Sequence, residues 1–227
     1  MRYAISGTVM QALEVELTQG ESIFTESGGM AWMADGIEMS TNTRGGLMTG
    51  LGRALSGESL FMTTYSCTAP TAMVTFTPDA PGKILPLQLA PGQVIIAQKG
   101  AFMCAQHSVQ MEMHFRKKLG AGLFGGEGFI LQKITGPGIV FLEIPGEIKE
   151  YNLAVGQRLK IDPGHIAAFD PSVTYDIAAV KGIKNIMFSG EGLFLASLTG
   201  PGRIWLQTMP ISNLAQAIRK YIPTKSS

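Results

Sequence analysis

Apolar residues in this chain of 227 residues follow two patterns, and the difference between them predicts its elements. From Tyr3 to Leu17 apolar and polar positions alternate, as on a strand with one wet face, and Gly20 supplies the turn that follows. Met30 to Met33, with Trp32 inside it, runs without a polar break, as a buried strand does. Shorter apolar runs return at Phe129 to Leu131, Ile139 to Leu142, Leu193 to Leu195 and Ile204 to Leu206. The period changes only at the end of the chain. There Leu214, Ala217, Ile218, Tyr221 and Ile222 mark one face of a helix over 212–222, capped by Ser212 or Asn213, stopped by Pro223 and expected to dock on the β body.

The strand pattern is written three times. Gly126, Glu127 and Gly128 open a cassette that reaches a turn at Gly136, Pro137 and Gly138. Gly190, Glu191 and Gly192 open another that turns at Gly200, Pro201 and Gly202, with both parts displaced by 64 positions. A looser copy begins at Gly57 and Glu58, with Pro70 near its turn. Opening turns at Gly20, Gly92 and Gly156 complete three units, placed at about 1–86, 87–150 and 151–210. Such a module needs neighbours to finish its core. The expected fold class is therefore all-β: three β-sandwich-like repeats, each a double-stranded β ribbon, packed as one body with a short C-terminal helix. In the second and third cassettes a proline at the first corner and a glycine at the second predict a type II turn closing a hairpin.

Composition adds an assembly state. Hydrophobic residues make up 45% of the chain and charged ones only 15%, less charge than a monomer spreads over its surface. Sister subunits are expected to cover the excess apolar surface. The 28 glycines and 12 prolines fall between short apolar runs, the punctuation of tight turns. A net charge of +1 gives the whole molecule no pull towards nucleic acid or anionic membrane. Cys67 and Cys104 lack a CxxC spacing, which argues against a zinc ribbon or redox pair and suits a reducing cytoplasm. No secretory or transit pattern opens the sequence, and no apolar run is long enough for a spanning helix, so a cytoplasmic location is expected.

Candidate chemistry is sparse. Cations precede every cassette: Arg44 and Arg53, then Arg116, Lys117 and Lys118, then Lys181 and Lys184. Arranged about an axis they would form a positive girdle for RNA phosphates or anionic lipid headgroups; alternatively they pair with the recurring glutamates or face water. Glu58, Glu127 and Glu191 lack a companion acid or histidine and read as structural ion-pair partners. The Gly-rich segment from Arg44 to Gly57 reads as a connection, with insertion into a partner or bilayer surface as the alternative. Gly120, Gly122 and Gly125 spell GxGxxG, but a strand follows where a dinucleotide site needs a helix. His107, Glu112 and His114 fall close together without the His-x-His of a cupin-type metal site, and no metal or cofactor is expected.

The Gly-Glu-Gly cassettes with Thr-Gly-Pro-Gly, the stretch from Arg53 to Phe61, and the closing Ser212-Asn213-Leu214-Ala215 with Pro223 resemble the altered-inheritance-of-mitochondria, or mitochondrial-biogenesis, family. That resemblance implies a fold similar to the tryptophan RNA-binding attenuation protein and a homotrimer whose repeats form a ring. It brings no catalytic residues, and a fold does not confer RNA binding. The expectation is a non-catalytic oligomeric scaffold, with an RNA- or anionic-lipid-binding module, or a metal-dependent enzyme, as alternatives.

Overall fold

The computed structural model describes residues 1–26, 29–43, 61–117, 128–179, 194–219 and 221–222. Strand β1 (Arg2–Ser6) precedes three sets of six. The first comprises β2 (Ala12–Thr18), β3 (Ser22–Glu26), β4 (Met30–Met33), β5 (Ile37–Thr43), β6 (Phe61–Cys67) and β7 (Thr71–Phe76). The second comprises β8 (Gly82–Leu89), β9 (Val94–Gln98), β10 (Phe102–Gln106), β11 (Gln110–Lys117), β12 (Phe129–Thr135) and β13 (Gly138–Pro145). The third comprises β14 (Ile148–Leu153), β15 (Arg158–Ile161), β16 (Ile166–Phe169), β17 (Thr174–Ala179), β18 (Phe194–Thr199) and β19 (Gly202–Gln207), and helix α1 (Ile211–Arg219) follows. The class is all-β, as expected. Unit boundaries fall before β8 and β14, so divisions after residues 86 and 150 would cut through these two strands.

No unit keeps its strands in one sheet. Its first, sixth and third strands form one half-sheet, and its fourth, fifth and second form another, which joins the next unit. The result is four sheets ordered β1-β2-β7-β4, β5-β6-β3-β10-β13-β8, β11-β12-β9-β16-β19-β14 and β15-β18-β17, here called A to D. The joints are β3 with β10, where Cys104 faces Thr25, and β9 with β16, where Ala168 faces Ala97.

Three apolar layers separate the four sheets. Leu13, Val15 and Phe76 of A meet Ile23 and Phe141 of B; Phe24 and Val140 of B meet Ala97 and Trp205 of C; Leu131 and Phe169 of C meet Ile177 and Leu198 of D. This stacking explains the two sequence patterns. β2 lies in A with one face wet, and its residues alternate between buried and exposed. β13 lies in B with apolar layers on both sides, and Gly138 to Leu142 are all buried. One run breaks the rule: Met30 to Met33, expected to be buried, forms β4 on the edge of A, with Ala31, Trp32 and Met33 exposed.

The expected hairpins are corrected. Strands β12 and β13 flank Gly136-Pro137-Gly138 without pairing: β12 lies in C between β11 and β9, and β13 lies in B between β10 and β8. β18 and β19 divide in the same way between D and C. The segment is a corner between layers, with cis peptide bonds before Pro137 and Pro201 in place of a type II turn. Its glycines answer to close approach. A Cβ on Gly136 would lie 2.4 Å from the Ala90 carbonyl oxygen, and one on Gly200 2.5 Å from that of Ala154. Gly138 and Gly202 take φ of 135° and 140°, which side chains disfavour.

The helix is corrected too. It starts at Ile211, the Pro210 carbonyl accepting from the N–H groups of Asn213 and Leu214, and none of its residues is buried. Leu214 is half-buried, but Ala217, Ile218 and, beyond the helix, Tyr221 and Ile222 are exposed, so most of the face expected to dock stays uncovered.

Candidate functional site

Matched ends of the units converge on a cavity of about 710 Å³. Glu26 ends β3 and Gln98 ends β9, while Glu143 and Gln207 occupy the same place on β13 and β19. The side of α1 carrying Ile211, Ser212, Ala215, Gln216 and Arg219 lines the cavity beside them.

Several of its polar side chains are engaged within the protein, while the buried Gln132 Oε1 beside it has no hydrogen-bond partner among the described residues. Gln132 Nε2, buried on β12, donates to Glu26 Oε1 at 2.9 Å, and Lys99 Nζ lies 4.0 Å from Glu26 Oε2. Gln207 Nε2 donates to the Gly164 carbonyl at 2.6 Å. The N–H of Asp79 donates to Glu143 Oε2 at 2.9 Å. Burial pushes the Glu143 carboxyl up to about 7; that N–H opposes the rise and the charge of Asp79 adds to it. Near neutral pH this group therefore exchanges a proton where an ordinary glutamate is ionised. Beneath it the Cys104 thiol is raised well above its usual value, by burial first and by the charge of Glu143 second. A thiol held protonated in this way is a poor nucleophile. Thr25, which also lines the cavity, gives its hydroxyl proton to the Met103 carbonyl.

The residues selected from the sequence lie elsewhere. Arg116 and Lys117 end β11, and the half-buried Lys117 donates from Nζ to the Ile177 carbonyl of β17, joining the second unit to the third. Arg44, Arg53, Lys118, Lys181 and Lys184 lie outside the described residues. So do Gly57, Glu58, Gly126, Glu127, Gly190, Glu191 and Gly192, together with the GxGxxG segment and the Arg44 to Gly57 stretch. Gly128, with φ of 86°, lines the cavity. Glu112 on β11 is paired with Lys133 at 2.8 Å. Among the described residues no group of His, Cys, Asp and Glu gathers as a metal site, and both described cysteines are buried and free. Sequence reasoning missed Glu143 and Gln207. Their signal was there: a polar residue interrupts the apolar run at the same place in two repeats.

Successive sets of strands that lend each other half-sheets beside a polar cavity define an all-β protein. The chain belongs to the family described as mitochondrial biogenesis AIM24, whose profile matches residues 3–209. It is 30% identical to an uncharacterised protein of Streptococcus pyogenes serotype M6, over 100% of this chain and 93% of that one. It is 24% identical to altered inheritance of mitochondria protein 24, mitochondrial, of Verticillium alfalfae, matching 97% of this chain and 56% of that protein's length. A crystal structure of a Streptococcus pyogenes protein superposes with a TM-score of 0.79 at 26% identity, covering 97% of this chain and 99% of the other. No helix among the described residues is long and apolar enough to cross a membrane.

Proposed function

We propose that this protein is a non-catalytic oligomeric scaffold, which works by presenting apolar surface to other chains rather than by transforming a substrate. One observation carries the reading: apolar side chains that have buried counterparts, or that belong to an amphipathic face, stand in solvent at the two ends of the chain. Trp32 and Met33 do so on β4, and Ile218 on α1 with Tyr221 and Ile222 just beyond it. Exposed apolar groups of this size, on a chain with little charge, favour assembly. The cavity adds support, because Glu26, Glu143 and Gln207 are each engaged in a hydrogen bond within the protein. We take three copies as the expected count and the cytoplasm as the setting.

Native mass with co-purifying ligands identified tests this directly. The expected result is a multiple of the 24.3 kDa chain at micromolar concentration, with no ligand enriched. A monomer that carries a stoichiometric small molecule would replace the scaffold with a binding protein.

A module for RNA or anionic lipid is the second reading, favoured by the exposure of Arg116 at the end of β11. It draws less from Lys117, whose ammonium is committed to the Ile177 carbonyl. Lys117→Glu combined with Lys118→Glu would weaken such binding in a salt-dependent way, and no binding by the wild type at low salt ends that reading.

A further inference from the structure

Two edges of this molecule are the two halves of a joint that it makes twice internally. Sheets B and C have the same strand order when written by position in the unit: fourth, fifth and second strands of one unit, then third, sixth and first of the next. Sheet A is the second half of that series, β4-β7-β2, with β1 added; sheet D is the first half, β17-β18-β15. Among the described residues, A has no second strand beside β4 and D has no third strand beside β15.

We propose that β15 of one copy pairs antiparallel with β4 of another, joining chains head to tail through a completed sheet. The partner is a second copy of this chain, and in that choice the proposal rests on the scaffold reading.

The internal joints supply the register. Each third strand carries an irregularity at the same place, between Phe102 and Cys104, between Ile166 and Ala168, and between Met30 and Trp32, so Trp32 matches Cys104 and Ala168. Cys104 faces Thr25 and Ala168 faces Ala97, and the position matching these on β15 is Ile161. Trp32 of one copy therefore faces Ile161 of the other, Met33 faces Lys160, and Asp35 faces Arg158. The last pair matches His107 and Ser22, where the internal joint still holds a backbone bond of 3.1 Å.

Burial and charge agree with this register. Cys104 and Ala168 are 0% exposed, while Trp32 is 49% exposed. Ala105 and Phe169 are buried, while Met33 is exposed. An apolar third strand is thus sealed twice and open once. At the rim Asp35 and Arg158, both exposed, are of opposite sign, and Lys160 lies on the diagonal from Asp35. Lysine on an exposed edge normally discourages pairing. Here it meets an acid only on the edge that the internal joints select. The contact is heterologous, so copies either close a ring or extend a filament.

Cross-linking with a short bis-maleimide tests the geometry, using a Met33→Cys chain and a Lys160→Cys chain prepared separately. The expected result is a cross-linked dimer when the two are mixed and none from either alone. A dimer from Met33→Cys alone would mean symmetric β4 pairing and overturn the proposal. A cross-link confined within single chains of the double variant would mean that each molecule closes on itself, which also overturns it. Charge exchange provides a measurement independent of added cysteines. Asp35→Arg or Arg158→Asp alone is expected to weaken assembly about tenfold, and the two together to restore it. Oligomers of wild-type mass that show neither the cross-link nor the rescue would overturn the proposal while leaving the scaffold reading intact. A wild-type monomer would remove both.

Discussion

β10 and β4 occupy the same place in their units and carry similar apolar sequences, yet one is sealed and the other stands open. Phe102 to Ala105 lie under two sheets and beside β3; Ala31 to Met33 have β7 on one side and no described strand on the other. Burial here is therefore a property of position in the series of units, not of strand composition. A third strand is sealed only when another unit precedes its own, as β10 is by β3 and β16 by β9, and β4 has no such neighbour among the described residues.

The largest expected effect breaks the sealed side. Phe141→Ala, at a fully buried position in B, should cost about 3–5 kcal/mol in denaturant unfolding through lost contact and a residual cavity. Next is the corner between layers. Gly136→Ala places a methyl against the Ala90 carbonyl, and a loss of about 1–3 kcal/mol is expected, measured as a lower denaturation midpoint. Glu143 sharpens the comparison through pH. Its folded pKa is raised from 4.5 to about 7, so the native state binds more protons than the unfolded chain between those values, and stability falls as pH rises through that window. Glu143→Gln should flatten that slope and leave the variant more stable than wild type by about 2 kcal/mol at pH 8, read from paired unfolding curves. The smallest effect belongs to the open side. Trp32→Ala should change the unfolding free energy of dilute monomer by less than about 1 kcal/mol, within the range of surface substitutions, while reducing assembly.

Much of the architecture was legible in the sequence, and what was not has a physical reason. The alternation from Tyr3 to Leu17 announced β structure, though as two strands, β1 and β2, where the pattern read as one, and the apolar runs from Phe129, Ile139 and Ile204 fall on β12, β13 and β19. The Thr-Gly-Pro-Gly segment misled, because turn chemistry reports a reversal of direction but not which sheet receives the next strand. Continuous burial from Gly138 to Leu142 was the missing clue, since a strand covered on both faces needs a layer beyond its own hairpin partner. For the C-terminal helix, periodicity located the element but not the side that meets the body, which Pro210 and the rim of the cavity decide. Of the site, the cations were chosen for recurrence and charge. Lys117 proved to be a tie between units, while Glu143 and Gln207 went unnoticed inside apolar strands.

Hydrogen exchange followed against protein concentration is the most direct measurement of whether the open strands find each other. Amides of Met30 to Ala34 and Arg158 to Ile161 are expected to gain protection as concentration rises, in step with native mass, while those of β10 and β16 stay protected throughout. Protection at β4 and β15 that does not change across a range in which the mass rises would contradict the account.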